Sequence, residues 1–560
     1  MVKRQFLHYL VLVGAIALGT ILRFWHLDLK PLWLDEVITA LFSLGRNYND
    51  VSLEAVFSVQ RLEQIFTFNS DVSCRQIAHN LATYSTHPPL FFCLMHKWLE
   101  IHRGGVLGHG LVWSLRSLPA LFGVCAIAAV YYLNRIAFSP AAGLMGAAMM
   151  AVSPFAVYLS QEARHYTLPM LLIILALLGL IQIQQDFQRQ QLRFSIWLGW
   201  VIINIIGFYV HYFFILAFIA QGVTLFGLMY SQRHILPRKS WLVAILAIIS
   251  VIASFLPWLA ILLGHFNRSE TNWLPQPQSI TPLYQTIVNW VLMIIGLPVE
   301  NQPLWVAVIS GILMVLFVLW VAWHSFRGLK QLWHKPENQL SIMTLASFTL
   351  CVLIEFFAVV YLLGKDITIV PRYNFIYYPS LIALIAASLV KSNSSQLLFK
   401  QKIKLNVGKQ SFYLLFFTVS LLSCVLVVSN FVFQKPYNPQ LVAQNMNQEL
   451  AVPIMVVVGY QNYQDVALGL SFALALGKVR SNNSTEFAFF KRSQGYEYIW
   501  EKISHLPPLK TSQLNLWVVA PELKRRDYPP LLKSSQTTCT LDPKQYYRIG
   551  IPYQLYWCRR

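Results

Sequence analysis

Long apolar runs separated by short polar segments make up most of the chain. The first run covers residues 6–24, and runs of similar length recur as far as residue 432. A segment of about 20 apolar residues is what an α-helix needs to cross a bilayer. The pattern therefore predicts about eleven transmembrane helices, over residues 6–24, 114–133, 141–159, 168–183, two within 194–230, 241–263, 304–323, 342–363, 376–389 and 412–432.

Two further apolar runs do not fit this series. Residues 91–101 are too few to cross comfortably and are interrupted by His96 and Lys97, so we expect a helix lying in the membrane interface. Counting residues 283–297 as a full crossing breaks the charge bias of the connections that follow. We therefore expect a re-entrant or interfacial helix there.

After residue 434 the apolar segments shorten to strand length. Residues 453–460 and 514–519 read as strands, and residues 465–476 read as a helix. The predicted fold class is an all-α polytopic membrane protein with a small extracytoplasmic α/β C-terminal domain. We place the transmembrane domain at residues 1–433, with a large first outer loop at 25–113, and the C-terminal domain at 434–560.

Composition and charge agree with a membrane protein. The chain of 560 residues is 56% hydrophobic, and its net charge is +20. A mean hydropathy of +0.51 excludes a soluble protein. The cations fall mainly in the short connections between spans, so topology and anionic lipids explain the charge and nucleic acid is not expected as a partner. Lys3 and Arg4 place the N-terminus in the cytoplasm, which predicts a multi-pass protein of the cytoplasmic (inner) membrane with the C-terminal domain outside.

The seven cysteines show no metal-ligand spacing. Cys539 and Cys558 both fall in the predicted outer domain, where an oxidising compartment permits a disulfide. Two separate thiols are equally compatible with the sequence, since sequence carries no information on their distance.

Ionisable residues from connections far apart in sequence share the predicted outer face. The leading candidate for a catalytic base is Asp35, which follows the first span beside the interface residue Trp33. Acids at a lipid surface suit the activation of an acceptor hydroxyl or amine, while cations hold the phosphate of a lipid donor. By charge bias the outer face receives Asp35, Glu36, His87, Glu162, Arg164, His165, His211, Lys365 and Arg372.

Two other classes of protein could carry a similar set of ionisable residues. One is a transporter or flippase of lipid-linked sugars, and the other is a non-catalytic envelope assembly protein. Transporters usually place ionisable groups within the spans. Here the spans are nearly free of acids, with Glu355 the main exception. This difference favours chemistry at the surface over translocation.

Several short motifs together resemble the C-type (GT-C) integral-membrane glycosyltransferases. The nearest group is glycosyltransferase family 39 with its bacterial relatives, which include protein O-mannosyltransferases and the lipid A aminoarabinose transferase. The resemblance spans about residues 5–390, and the tail resembles that of some cyanobacterial members. The motifs are Pro-Leu-Trp-Leu-Asp-Glu at 31–36, His-Pro-Pro-Leu at 87–90, Arg-Ser-Leu-Pro-Ala-Leu at 116–121, Ser-Pro-Phe at 153–155 and Ser-Gln-Glu-Ala-Arg-His-Tyr at 160–166.

The resemblance implies transfer of a sugar from a polyprenyl-phosphate donor to an acceptor outside the membrane, with inversion at the anomeric carbon. Asp35 matches the proposed base, Glu36 its neighbour, and Glu162 the second acidic position. Because the paired-acid pattern of metal-dependent relatives is absent, we expect no cofactor, or an optional divalent cation. The implied donor-phosphate ligands are Arg372, Lys365 and Arg164, and the implied site-shaping residues are His87, Tyr166 and Tyr373.

Structural alternatives remain for these residues. The prolines after His87 fix the start of a helix equally well. Glu162 and Arg164 are close enough in sequence to pair with each other. Arg372 and Lys365 are also compatible with anchoring to lipid headgroups.

Overall fold

A computed structural model describes residues 2–102, 110–266, 268, 273–392, 407–480, 485–506, 512–534 and 537–559. The side chains of Lys3 and Arg4, on which the predicted orientation rests, lie outside the described part. The helices are α1 Val2–Phe24, α2 Leu34–Ser43, α3 Val59–Ile65, α4 Cys74–Tyr84, α5 Leu90–Ile101, α6 Leu111–Ala137, α7 Pro140–Ala151, α8 Pro154–Ser160, α9 Thr167–Gln188, α10 Phe194–Val210, α11 Phe214–Ser231, α12 Arg238–Phe266, α13 Thr281–Ile294, α14 Leu304–Trp333, α15 Pro336–Leu363, α16 Tyr378–Ser392, α17 Val407–Val428, α18 Pro439–Met446, α19 Tyr463–Val479 and α20 Tyr496–Ser504. The strands are β1 Val56–Ser58, β2 Ile454–Tyr460, β3 Thr485–Lys491, β4 Gln513–Val519, β5 Leu531–Ser534, β6 Thr537–Ile549 and β7 Ile551–Arg559.

The predicted series of membrane helices is present. Within the described residues, eight helices are long and apolar enough to cross a bilayer, namely α1, α6, α9, α11, α12, α14, α15 and α17. Two shorter apolar helices, α10 and α16, occupy two further predicted spans. The polytopic, mostly helical fold class is thereby confirmed.

The predicted span over residues 141–159 is not one continuous helix. The chain forms α7 and α8 instead, which meet at an angle of 58°. Pro154 opens α8 and lacks the N–H that would continue α7. Ser153 Oγ accepts a hydrogen bond of 3.1 Å from the N–H of Ala156, so a new helix starts there.

The run at residues 283–297 forms α13, whose 14 residues are fewer than a crossing requires. This agrees with the predicted interfacial or re-entrant helix. The run at 91–101 forms the helix α5, and its location in the membrane interface stays a prediction.

The first outer loop is folded into α2 to α5 and β1. A disulfide between Cys74 and Cys93, which the sequence did not indicate, ties α4 to α5. The loop therefore forms a compact layer that holds α2 in place.

The C-terminal residues build most of a mixed sheet with strand order β1-β3-β2-β4-β7-β6-β5. The predicted strands and helix correspond to β2, β4 and α19, which confirms an α/β domain. Cys539 and Cys558 face each other across β6 and β7 and form a disulfide. Of the two alternatives that the sequence allowed, the disulfide is therefore the one present.

This sheet is not built by residues 434–560 alone, because β1 of the first outer loop pairs antiparallel with β3. Glu54 beside β1 accepts a 2.7 Å hydrogen bond from the N–H of Lys491. Helix α19 packs on α2, and the rings of Tyr48 and Tyr463 stack with centroids 4.3 Å apart. The domain boundary at 433/434 stays a prediction, while the packing makes the C-terminal domain a support of α2.

Candidate active site

The adjacent acids Asp35 and Glu36 lie in the first turn of α2 but occupy different environments. The Glu36 side chain is fully buried. Arg116 binds its carboxylate at both oxygens, with Nε 2.7 Å from Oε1 and Nη2 2.6 Å from Oε2. The N–H of Ala163 adds a 2.7 Å hydrogen bond to Oε1. Glu36 is thus a neutralised and fully bonded anchor between α2, α6 and the connection after α8.

Arg116 fastens the chain ahead of α2 as well. Its guanidinium donates to the carbonyl oxygens of Leu27, Lys30 and Pro31 at 2.9, 2.8 and 3.1 Å. The sequence placed Arg116 within a family motif but assigned it no role. An arginine inside the first turns of an apolar helix was the available signal, because such a cation needs a partner.

Asp35 is accessible, with 15% of its side chain exposed, and it faces two cations. Its Oδ2 lies 3.0 Å from Arg372 Nη2 and 3.9 Å from Arg164 Nε. Arg164 is held by hydrogen bonds of 3.0 Å to the Asp35 carbonyl and to Thr39 Oγ1. The structure therefore brings Asp35, Arg164 and Arg372 together, although their positions in the chain are far apart.

Aromatic rings surround the Arg372 guanidinium. Arg372 Nε donates to the hydroxyl of Tyr166 at 3.0 Å, and the guanidinium lies 5.2 Å from the Trp33 ring and 5.8 Å from the Tyr373 ring. Burial acts to lower the pKa of Arg372, but the facing Tyr166 and Asp35 raise it above its ordinary value. Arg372 is a fixed cation in contact with Tyr166 and Tyr373, whose site-shaping role stays a prediction.

Glu162 pairs with a residue that the sequence did not single out. Its Oε1 forms an ion pair with Lys435 Nζ, which also donates to the hydroxyl of Tyr158 at 2.9 Å. The Lys435 ammonium lies 4.2 Å from the centre of the Trp33 ring. Lys435 follows the last span, in the connection to the C-terminal domain. Its contact with Glu162 depends on how that connection folds, so the sequence did not indicate it. The Glu162 carboxylate therefore pairs with Lys435 and not with Arg164, which lies beside Asp35.

His87 lies beside Arg164, which donates from Nη2 to its Nε2 at 3.1 Å. Burial, and after it the charge of Arg164, holds the pKa of His87 well below its usual range. Burial likewise lowers the pKa of His211 to about 3. His87 is therefore a neutral acceptor for Arg164. The prolines that follow it directly precede α5, which agrees with a role in starting that helix, and a functional role for His87 stays a prediction.

Lys365 lies on the same connection as Arg372, just after Gly364, which ends α15 with a φ of +66°. Its side chain is half-buried, and the contacts described at the Asp35 carboxylate come from Arg372 and Arg164. A donor-binding role for Lys365 stays a prediction.

Among the described residues, no group of three or more His, Cys, Asp or Glu side chains is arranged to hold a metal ion. The acids of the site are paired instead with arginine or lysine.

These features define a polytopic membrane protein in which ionisable residues from separate connections meet beside α2. Residues 86–258 match the dolichyl-phosphate-mannose-protein mannosyltransferase family. The matched segment holds His87, Arg116 and residues 160–166, and over this segment the predicted resemblance is confirmed. Asp35 and Arg372 lie outside it.

Solved structures give the fold. The structure resembles ArnT from Cupriavidus metallidurans in the apo state, with 11% identity, a TM-score of 0.50, and coverage of 90% of this chain and 92% of that chain. The same protein bound to undecaprenyl phosphate aligns with 12% identity, a TM-score of 0.48, and the same coverage of both chains. The oligosaccharyltransferase AglB from Archaeoglobus fulgidus aligns with 13% identity and a TM-score of 0.44, over 86% of this chain and 64% of that one. No curated protein is significantly similar in sequence.

Proposed function

We propose that this protein transfers a sugar from a polyprenyl-phosphate donor to an acceptor at the outer face of the cytoplasmic membrane, with Asp35 as general base. The observation that carries the proposal is the partly exposed Asp35 carboxylate held against Arg372 and Arg164. A carboxylate and two arginines in one place supply both needs of the reaction, a proton acceptor and a phosphate ligand.

In the proposed reaction, the bond between the anomeric carbon and the donor phosphate oxygen breaks as the acceptor oxygen or nitrogen bonds to that carbon from the opposite face. Asp35 takes the proton of the acceptor, and the phosphate leaves with the bonding electrons. A single displacement of this kind inverts the anomeric carbon. Arg372 is shared between Asp35 and the phosphate, so donor binding draws the arginine away and leaves Asp35 available to the acceptor.

The proposal does not give Glu36 the catalytic role that the family resemblance implies. Both its oxygens are bound by Arg116, so we assign it to positioning α2 and with it Asp35. Glu162 remains part of the site through its pair with Lys435.

The two disulfides support an outer location. Cys74–Cys93 lies in the first outer loop and Cys539–Cys558 in the C-terminal domain. Disulfides persist in oxidising compartments, which supports a non-cytoplasmic location for both regions. This agrees with the orientation proposed from charge bias.

Reconstituted liposomes test the class of activity. Purified protein with a radiolabelled polyprenyl-phosphate sugar and envelope extract as acceptor source should produce a labelled product and release polyprenyl phosphate. Movement of the lipid between leaflets without any product would favour the flippase alternative and contradict the proposal.

Arg372→Ala tests the phosphate role. We expect the KM for the donor to rise by about tenfold or more, because a charge-assisted hydrogen bond to phosphate is lost, while the KM for the acceptor changes little. Arg233→Ala is the control, since Arg233 also lies over a tyrosine ring but outside the site. An equal rise in both KM values would count against phosphate binding by Arg372.

A further inference from the structure

A cavity lies between the C-terminal domain and the start of α6, away from Asp35. Its volume is about 290 Å³, and its walls are the segment before α2, the first residues of α6 and one face of α19. A single water needs only roughly 10–15 Å³ of such space, so the cavity admits a ligand of many heavy atoms. In the part of the chain that the structure describes, no residue of the Asp35 site lines it.

The interior of this cavity is apolar. Leu474 and Ala475 come from α19, and the other two walls add the side chains of Pro31, Leu32, Leu111, Val112 and Trp113. Such a lining offers water few hydrogen-bond partners and favours hydrocarbon. The size and the lining therefore suit an acyl chain better than a sugar or an ion.

The cavity lies where the protein meets the membrane surface. Helix α6 is one of the membrane spans, and Trp113 in its first turn is of the type that prefers the interface. Leu29 and Val479 are exposed apolar side chains, and they directly follow Asp28 and Lys478 in the chain. Exposed apolar residues next to charged ones are typical of a surface that contacts lipid. A phospholipid of this leaflet therefore has access to the cavity.

Two opposite charges lie at the mouth of the cavity. Of the described residues that line it, Asp28 and Lys478 are the charged ones, and both are exposed. Within the described residues neither side chain forms a hydrogen bond or an ion pair. Partial burial, and after it the charge of Arg116, lowers the pKa of Lys478, while Asp28 acts in the opposite direction. The carboxylate and the ammonium are thus near each other without being paired.

From this arrangement we infer that the cavity binds one acyl chain of a phospholipid whose headgroup carries a phosphate and a primary ammonium. Lys478 binds the phosphate, and Asp28 accepts a hydrogen bond from the ammonium. A quaternary ammonium has no N–H to donate, and an anionic headgroup without an amine leaves Asp28 facing a like charge.

The bound lipid would join the C-terminal domain to the membrane domain. It contacts α19 on one side and, on the other, Pro31 and Leu32, which lead into α2. The inference does not depend on sugar transfer, so its failure and the failure of the proposed function are distinguishable.

The test titrates the full chain, purified in detergent, with phosphatidylethanolamine, phosphatidylcholine or phosphatidylglycerol of the same acyl chains. Native mass spectrometry gives the dissociation constant of the first bound lipid. We expect phosphatidylethanolamine to bind about tenfold or more tightly than either of the others, because its headgroup alone matches both charges. Equal binding of the three lipids would overturn the inference, and so would tighter binding of phosphatidylglycerol.

Charge variants test the two headgroup contacts separately. Asp28→Asn should lower the ratio of the phosphatidylethanolamine affinity to the phosphatidylcholine affinity about threefold or more, and Lys478→Glu should weaken phosphatidylethanolamine binding about tenfold. Lys533→Glu is the matched control, since Lys533 is an exposed lysine of β5 in the same domain, and it should bind as the wild type does. An unchanged ratio in Asp28→Asn, or an unchanged affinity in Lys478→Glu, would overturn the inference.

A photoreactive lipid locates the bound chain. Phosphatidylethanolamine with a diazirine in its acyl chain should label residues 111–113 or 474–478 of the wild type, and Leu474→Trp, which fills the cavity, should lose the label. Labelling confined to other segments would overturn the inference. If Leu474→Trp does not fold, the labelling of the wild type and the affinity ratio of Asp28→Asn decide the matter.

Discussion

Asp35 and Glu36 are neighbours in the chain, yet helical geometry turns their side chains about 100° apart. Glu36 points into the protein to Arg116, and Asp35 points to Arg372 and Arg164. Sequence reasoning located both acids beside the first span because the span length and the charge bias are local signals. Sequence reasoning did not distinguish the roles of the two acids, because Arg116 lies 80 residues from Glu36 and only the packing of α6 brings it to α2.

The buried pair of Glu36 and Arg116 should matter strongly for stability. Arg116→Met leaves the Glu36 carboxylate buried without a counter-charge, which should lower the free energy of unfolding by about 3–5 kcal/mol. Denaturation of the purified protein in detergent measures this value. Lys97→Met removes an exposed pair and should leave the free energy nearly unchanged. A loss in Arg116→Met as small as that in Lys97→Met would show that the buried Glu36 carboxylate does not need Arg116 for stability.

Lys30 should give the protein a pH-dependent stability. Burial, followed by the charge of Arg116, lowers the pKa of Lys30 to about 8, with Lys435 adding to the effect and Glu162 and Glu36 opposing it. Between pH 8 and the ordinary lysine pKa of about 10.5, the unfolded chain binds more protons than the folded one, so the contribution of Lys30 to the free energy of unfolding rises with pH. Lys30→Met should lack this rise.

Thermal unfolding of both proteins between pH 7 and pH 10 measures the difference. The melting temperature of the wild type should increase relative to that of Lys30→Met as pH rises through this window. Parallel profiles would contradict a lowered pKa for Lys30.

Among the elements, sequence patterns missed the bend between α7 and α8 and the addition of β1 to the C-terminal sheet, as they missed the Cys74–Cys93 disulfide. The Ser-Pro at 153–154 is a local signal for a helix start that the continuous hydrophobicity of residues 141–159 obscured. The pairing of β1 with β3 joins residues more than 400 positions apart, and a three-residue strand carries no periodic signal of its own.

The contact of α19 with α2 predicts energetic coupling between the C-terminal domain and the loop at residues 25–113. Tyr48 and Tyr463 stack with their ring planes 1° apart. A double-mutant cycle with Tyr48→Leu and Tyr463→Leu should give a coupling of about 0.5–1.5 kcal/mol in the free energy of unfolding. Strictly additive losses would show that the two rings do not support each other.

The Cys74–Cys93 disulfide should stabilise the layer that holds α2. It closes a loop with a sequence separation of 19, so replacing both cysteines by alanine should cost about 2–4 kcal/mol in the free energy of unfolding. Cys125→Ala is the control because Cys125 is a free thiol. A loss no larger than that of the control would indicate that the bridge is dispensable.

For the molecule as a whole, the class of fold was accessible from the sequence because repeated apolar runs and the charges between them are strong signals. The candidate site was accessible only in part. Asp35, Glu162, Arg164 and Arg372 could be grouped because the charge bias predicts them on the same side of the membrane. The contacts of Lys435 could not be predicted, because they depend on how the last connection folds back over Trp33.

The central claim is that Asp35 accepts the proton of the acceptor at this site. The most direct measurement is sugar transfer and donor binding by Asp35→Asn in liposomes, beside Asp71→Asn, which replaces an exposed acid of the same loop. We predict that Asp35→Asn lowers kcat by about 10²- to 10⁴-fold while the donor still binds, and that Asp71→Asn behaves as the wild type. Transfer at the wild-type rate by Asp35→Asn would contradict the account.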